Sequence, residues 1–317
     1  MDADVKGGSA CVRFDGNAGV TLDCQGHDLT SIRLNGVQDF TIRNCQAHLG
    51  DVHTIEIVNS SRVTIENSDV LGQVFLDGSR QTLLRNSSFR MPVKPPSSAG
   101  FVSCEVCFYG GSDNSLSGST VDGGWDGNVT TTYQRQGVDD AVGTSNESRP
   151  TIVDNVIMNA FDAGIESSAN AGPMTAAVIR NNQISHVGFT GIASFYIAGW
   201  QSSVFSGNTV SDAPSLLDFD LSGASLAGVS TSTLVDNVIE SNTFRNPVPL
   251  PPLYGGRVTA SMLIDFVTGG LSGTIANNVV RNNDFGTASP GPKLAPASGF
   301  VDGGGNVCSG SSILACQ

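Results

Sequence analysis

The sequence predicts an all-β solenoid, in which one strand-rich coil stacks on the next. Three observations carry that prediction. A six-residue unit recurs along nearly the whole chain, a short alternating segment precedes most of its copies, and the composition is wrong for helices. Glycine accounts for 38 of 317 residues and charged residues for only 14%, which excludes the helix-rich classes, while 39% apolar residues are enough to build a core and exclude disorder.

The unit begins and ends on an apolar residue, with a small or polar pair between. It reads IRNCQA at 42–47, IENSDV at 65–70, LRNSSF at 84–89, LSGSTV at 116–121 and IVDNVI at 152–157. It continues as IRNNQI at 179–184, FSGNTV at 205–210, IESNTF at 239–244 and VRNNDF at 280–285. The fourth position, from Cys45 through Ser68, Ser87, Ser119, Asn155, Asn182, Asn208 and Asn242 to Asn283, forms a column of small polar residues. Positions one and six are apolar in every copy. Such a unit cannot bury its own apolar face, so copies must stack to make a continuous core. Asn tolerates left-handed geometry and hydrogen-bonds nearby backbone, so a stacked Asn column predicts a repeated bend. The second column (Arg43, Glu66, Arg85, Arg180, Glu240, Arg281) predicts an exposed salt-bridge ladder.

A second strand per coil lies upstream of the unit. Its copies are VRFD at 12–15, IRLN at 32–35, IEIV at 55–58, VFLD at 74–77, CFYG at 107–110 and VDDA at 138–141. They continue with IESS at 165–168, IASF at 192–195, LDFD at 217–220, IDF at 264–266 and VD at 301–302. Period-2 alternation turns Val12, Ile32, Ile55, Val74, Ile165, Ile192 and Leu217 inward on this first sheet. It predicts an outward row of Arg13, Arg33, Glu56, Phe75, Phe108, Asp139, Glu166, Ala193, Asp218 and Asp265.

Stacked units of this kind resemble the PbH1-type repeats of the right-handed parallel β-helix, the fold of the pectate-lyase-like superfamily, over residues 11–307. The resemblance implies a single domain over 1–317, with a lead-in at 1–10, about eleven coils and a C-terminal cap at 303–317 closed by a Cys308–Cys316 link.

Sixteen Lys and Arg against 29 Asp and Glu give a formal net charge of −13, which argues against a nucleic-acid partner. No run of 18 apolar residues is present to span a membrane, and Met1–Ala10 lacks the apolar stretch of a signal peptide. Seven cysteines leave at least one thiol outside intrachain pairs. The close pair Cys104/Cys107 suits a local disulfide or half of a zinc site, and Cys11, Cys24 and Cys45 suit a bridge that pins the chain start. Disulfides with few lysines point to a secreted, periplasmic or cell-surface protein.

Along the axis the outward row turns acidic. Asp139, Glu166, Asp218 and Asp220 stand close on a sheet with strands about 4.8 Å apart, so they need a cation, a shared proton or a role. They suit a Ca²⁺ site or carboxylates for acid/base work. Long inserts before the first sheet carry Trp125, Tyr133, Arg135, Tyr254 and Arg257, and Tyr196 follows the IASF strand. Aromatic walls over a carboxylate floor suit a polysaccharide or oligosaccharide. His186, in the turn after IRNNQI, is a further acid/base candidate.

GVDDAVG at 137–143, followed one coil later by FDAGIES at 161–167, resembles the polygalacturonase family. That resemblance implies catalytic carboxylates at Asp139 and Asp140. Where the family has a histidine, this chain has Asp162 or Ala163. The lyase branch of the superfamily instead implies Ca²⁺ or a basic residue to neutralise a uronate, with Arg135, Arg257 or Lys94 as base candidates. The expectation is an exported polysaccharide lyase or glycoside hydrolase using Asp139, Asp140, Glu166, Asp218, Arg135 and His186. The alternative is a non-catalytic glycan-binding or surface protein with the same groove.

Overall fold

The computed structural model describes residues 12–92, 102–127, 137–168, 173–195, 199–220, 231–250, 262–265, 272–286 and 299–308. Among these the regular structure is entirely β-strand, and every strand pairing is parallel. The strands form a right-handed parallel β-helix. One sheet of eleven strands carries the first half of each repeat unit, so it counts the coils. A four-stranded sheet adds a third wall beside the later coils. The remaining strands form one bent sheet whose two arms are the second half of the unit and the first sheet.

The core is the stack of apolar columns. Ile32, Ile55, Val74, Val106, Val142, Ile165, Ile192 and Leu217 lie in register and are wholly or almost wholly buried. Beside them run Phe89, Val121, Ile157, Ile184, Val210 and Phe244, the sixth position of the unit.

The bend of the unit divides its work between two positions. Left-handed φ falls on the third residue, with Asn44 at 54°, Asn67 at 50°, Asn86 at 49°, Asn181 at 55° and Asn282 at 55°. The fourth residue turns inward and builds a ladder. Ser68 Oγ accepts from Cys45 N at 3.2 Å, Asn182 Oδ1 from Asn155 N at 3.1 Å, and Asn208 Oδ1 from Asn182 N at 3.0 Å. The copy at 239–244 joins the same ladder, since Asn242 Oδ1 accepts from Asn208 N at 3.0 Å. Each rung satisfies a buried amide that would otherwise be orphaned in the turn. The predicted charge ladder is present and exposed: Arg43 pairs with Asp23 at 2.9 Å, Arg85 with Glu66 at 2.9 Å and Arg281 with Glu240 at 2.7 Å.

Three first-sheet segments sit in a different register from the sequence expectation. Val106 rather than Cys107 joins the inward column, so Phe108 is core and Cys107 faces outward. Gly143, not Asp139, stands opposite Glu166, and Leu263, not Asp265, stands opposite Asp218. Phe300–Asp302 pairs with the Asn278–Arg281 strand of the eleven-stranded sheet rather than with the first sheet. At 106–108 the phase of alternation differs by one residue, whereas at 139–143 and 263–265 the phase is kept and the pairing slides by four and by two residues, which period-2 alternation alone does not fix.

Cys24 and Cys45 form a disulfide near the chain start, and Cys104–Cys107 is a disulfide, not a zinc half-site. Cys308 is also disulfide-bonded, while Cys11 and the expected partner Cys316 lie outside the described residues. No helix among the described residues is long and apolar enough to cross a membrane.

Candidate functional site

The acidic residues converge where the chain enters the strands Asp140–Ser145 and Ala163–Ser168. Just before each strand the backbone runs in register: Asp162 N–H donates to Asp139 C=O at 2.8 Å, and Phe189 N–H to Asp162 C=O at 2.9 Å. Asp139 and Asp162 therefore occupy neighbouring rungs. One residue further on, Asp140 Oδ1 accepts from Ala163 N at 3.3 Å. Glu166 reaches back from the middle of its strand, and oxygens of Asp140, Asp162 and Glu166 all lie within 4.8 Å of one another.

Burial makes this cluster chemically unusual. Asp140 is buried, with Asp162 and Glu166 half-buried around it. Desolvation first, and then the negative charges of Glu166, Asp139 and Asp162, push the Asp140 carboxyl well above the ordinary carboxylate range. Glu166 is raised well above it too, by burial and by Asp162 and Asp139, against a hydrogen bond with Asp140. Two carboxyls this close with this surrounding charge resist ionising together, as like charges in contact cannot both ionise cheaply.

Gly143 stands opposite Glu166, and Cys104 Sγ lies 2.7 Å from where a Cβ on Gly143 would be. Tyr109, on the strand Cys104–Tyr109, shares a 3.1 Å hydrogen bond with Ser103. Burial, and then the charges of Asp140, Glu166 and Asp139, raise its hydroxyl above its ordinary value, so it stays a proton donor. Trp125 packs edge-to-face on Phe161, with ring centroids 6.1 Å apart. Its Cη2 lies 3.3 Å from where a Cβ on Gly188 would stand. As Phe161 directly precedes Asp162, the half-buried indole borders the cluster.

The structure thus brings together Asp139, Asp140 and Glu166, with Trp125 at their border. Asp218 is buried two rungs beyond Glu166, across Ala193. Its charge still acts on Glu166. His186 is exposed at a bend with φ of 53°, on the Gln183–Val187 strand. Asp220 pairs with Asp265 at the end of its strand. Tyr133, Arg135, Tyr196, Tyr254, Arg257 and Lys94 lie outside the described residues. Asp162 and Tyr109 are the members that the candidate set lacked. Asp162 had a signal, since it stands where the polygalacturonase pattern places its histidine, whereas Tyr109 had only its place at the end of a strand.

A family model described as a right-handed beta helix region matches residues 30–210. No match to a curated protein sequence is found. Among solved structures the chain is similar to a polygalacturonase from Erwinia carotovora ssp. carotovora, at a TM-score of 0.54 and 12% identity, over 89% of this chain and 88% of that one. It is similar to the DFA-IIIase of Arthrobacter chlorophenolicus A6 at 0.53 and 10%, covering 91% of this chain and 67% of that one. It is also similar to a tailspike protein of E. coli bacteriophage HK620 in complex with a hexasaccharide, at 0.50 and 11%, over 88% of this chain and 52% of the tailspike. At these identities the likeness is one of fold, and fold does not settle activity.

Proposed function

The chain belongs to the right-handed β-helix family, and from that premise we propose that it is a polysaccharide-active enzyme, a glycoside hydrolase whose acid is the Asp140–Glu166 carboxyl pair. The observation that carries the reading is the pair itself, with oxygens within 4.8 Å of each other and of Asp162 and crowded by Asp139, so that its carboxyls resist ionising together. Glycoside cleavage needs a protonated carboxyl beside the leaving oxygen and an ionised one to activate water or stabilise positive charge on the sugar. In this reading Glu166, the half-buried member of the pair, delivers the proton. Asp218 stands two rungs away, about 10 Å by strand spacing. It is the second carboxyl of this reading, at the longer separation that leaves room for a water.

The polygalacturonase, the DFA-IIIase and the hexasaccharide-bound tailspike support a carbohydrate ligand for such a groove. The disulfides support an exported protein, since such bonds persist in oxidising compartments. Asp140, Asp162 and Glu166 also form an all-oxygen set tight enough to hold Ca²⁺, which would bridge the acidic floor to an anionic sugar. A lyase would depend on that bridge and on a basic residue, but the charges that act on Asp140 and Glu166 are carboxylates.

The test is a panel of neutral and acidic polysaccharides, with and without Ca²⁺, read for reducing ends and for unsaturated products. Reducing ends without unsaturation, lost by at least about 100-fold in both Asp140→Asn and Glu166→Gln, are expected. Unsaturated products would replace the hydrolase with a lyase. Binding that survives both substitutions without any turnover would make the chain a glycan-binding protein.

A further inference from the structure

The outer row of the first sheet continues from the acidic cluster toward the N-terminal coils. In register from Glu166 it reads Gly143, Cys107, Phe75, Glu56 and Arg33. The two rungs nearest Glu166 are covered by the disulfide: a Cβ on Gly143 would stand 2.7 Å from Cys104 Sγ, and Cys107, bonded to Cys104, is fully buried. Next to that disulfide three rings stand together, centred on Phe75 three rungs from Glu166, with Tyr109 on the Cys107 strand. His53 stacks on Phe75 with centroids 4.5 Å apart and planes 2° from parallel. Phe75 meets Tyr109 edge-on at 5.1 Å. All three rings are half-buried and so present part of their surface to solvent, and Tyr109 joins this group to the carboxylate cluster.

We infer that His53, Phe75 and Tyr109 form a remote sugar-binding platform for an uncharged polysaccharide lying along the solenoid axis, three rungs from the acid at Glu166. The inference rests on the hydrolase reading of that site and adds to it the direction, the length and the charge class of the substrate. Three rungs span about 14 Å, and a hexose unit advances by about one rung, so the platform holds the third or fourth sugar from the bond that is cleaved. Partly exposed rings suit the apolar faces of sugars. The charge class follows from the same row. Its described cations, Arg13 and Arg33, are held by Asp15 at 2.7 Å and Glu56 at 3.0 Å. A polyuronate would meet Glu56, Asp139, Asp162 and Glu166 with those cations already committed, on a chain of net charge −13.

The test compares kcat/KM on neutral oligosaccharides of two and six units in the wild-type protein, Phe75→Ala and His53→Ala. The wild-type protein should favour the longer substrate, and Phe75→Ala should lower the six-to-two ratio about tenfold through KM, the size of one lost aromatic contact. His53→Ala should lower it less, as Phe75 keeps its place between the sheet and Tyr109. An unchanged ratio in both variants overturns the platform while leaving the acid pair standing. If the wild-type protein turns over no substrate, affinity for a neutral polysaccharide decides instead. Loss of binding in Phe75→Ala but not in Glu166→Gln supports the platform without the hydrolase, whereas equal binding in all variants, or preference for a polyuronate, overturns it.

Discussion

Gly143 is the strand partner of Glu166, and Cys104 fills the space above it: a Cβ on Gly143 would stand 2.7 Å from Cys104 Sγ and 2.8 Å from Cys104 Cβ. The disulfide therefore packs on the rung next to Glu166. Gly143→Ala is expected to destabilise the protein by about 1–3 kcal/mol through overpacking. It should also lower turnover more than the stability loss explains. Chemical denaturation together with kcat on the same preparation checks both.

The raised carboxyls at Asp140 and Glu166 fix the sign of a pH effect. A carboxyl whose folded pKa exceeds its unfolded one gives its full stabilisation below the unfolded value and loses it as pH rises through the folded one. The wild-type protein should thus be less stable at pH 8 than at pH 5. Asp140→Asn should flatten that slope, measured as the urea midpoint against pH. The same titration should give activity a basic limb that Glu166→Asp shifts and Glu166→Gln abolishes with turnover.

Glu147 offers a second, separable titration. It is buried in a turn where other coils place Ser or Asn, and its carboxyl accepts from Gly111 N at 3.0 Å and from Asn114 Nδ2 at 3.1 Å. Burial pushes its pKa from 4.5 up to about 7, although those hydrogen bonds pull the other way. Stability should therefore fall between pH 4.5 and about 7 by up to about 3 kcal/mol from this group. Glu147→Gln should remove that part of the slope in denaturation curves at several pH values.

Glu105 is fully buried, and neither carboxylate oxygen has a hydrogen-bond partner among the described residues. Desolvation raises its pKa well above the ordinary value, so it too costs stability as pH rises. Replacing an unsatisfied buried acid with an apolar residue of similar size should stabilise the fold. Glu105→Met is expected to raise stability by about 1–3 kcal/mol at pH 7, read as a higher urea midpoint.

The ladder makes the opposite prediction. Asn208 accepts from Asn182 N at 3.0 Å and donates to Ile179 O at 2.9 Å and Asn242 Oδ1 at 3.0 Å. Asn208→Ala leaves buried partners unmade on both sides and should cost about 2–4 kcal/mol, whereas Asn181→Gly, at the left-handed position beside it, should cost under about 1 kcal/mol. Thermal or urea unfolding of the two variants distinguishes the positions.

The stacked architecture was legible because each coil repeats one local solution. The apolar ends of the units from Ile42 to Phe285, the small polar column from Cys45 to Asn283 and the inward residues Ile32, Ile55, Val74, Ile165, Ile192 and Leu217 all follow from burial, hydrogen-bond need and period-2 geometry. Neighbouring rungs impose the same demand, so the columns appear in the letters. The site was only half legible. Val138 and Val142 share a phase of alternation, so the pattern alone does not say which of them stacks on Ile165, and Asp139 was assigned a rung that Gly143 occupies.

The sequence by itself determined the solenoid, its coil count and the acidic character of one stretch of the first sheet, because those properties are sums of short-range preferences repeated along the chain. Only the tertiary structure decided that Asp162 joins Asp140 and Glu166, that Asp139 stands beside Asp162, and that Tyr109 and Trp125 border the cluster. Those relations depend on which residue of each strand pairs across the sheet. That register is fixed by which residues the core accepts, and the core belongs to the stacked coils together.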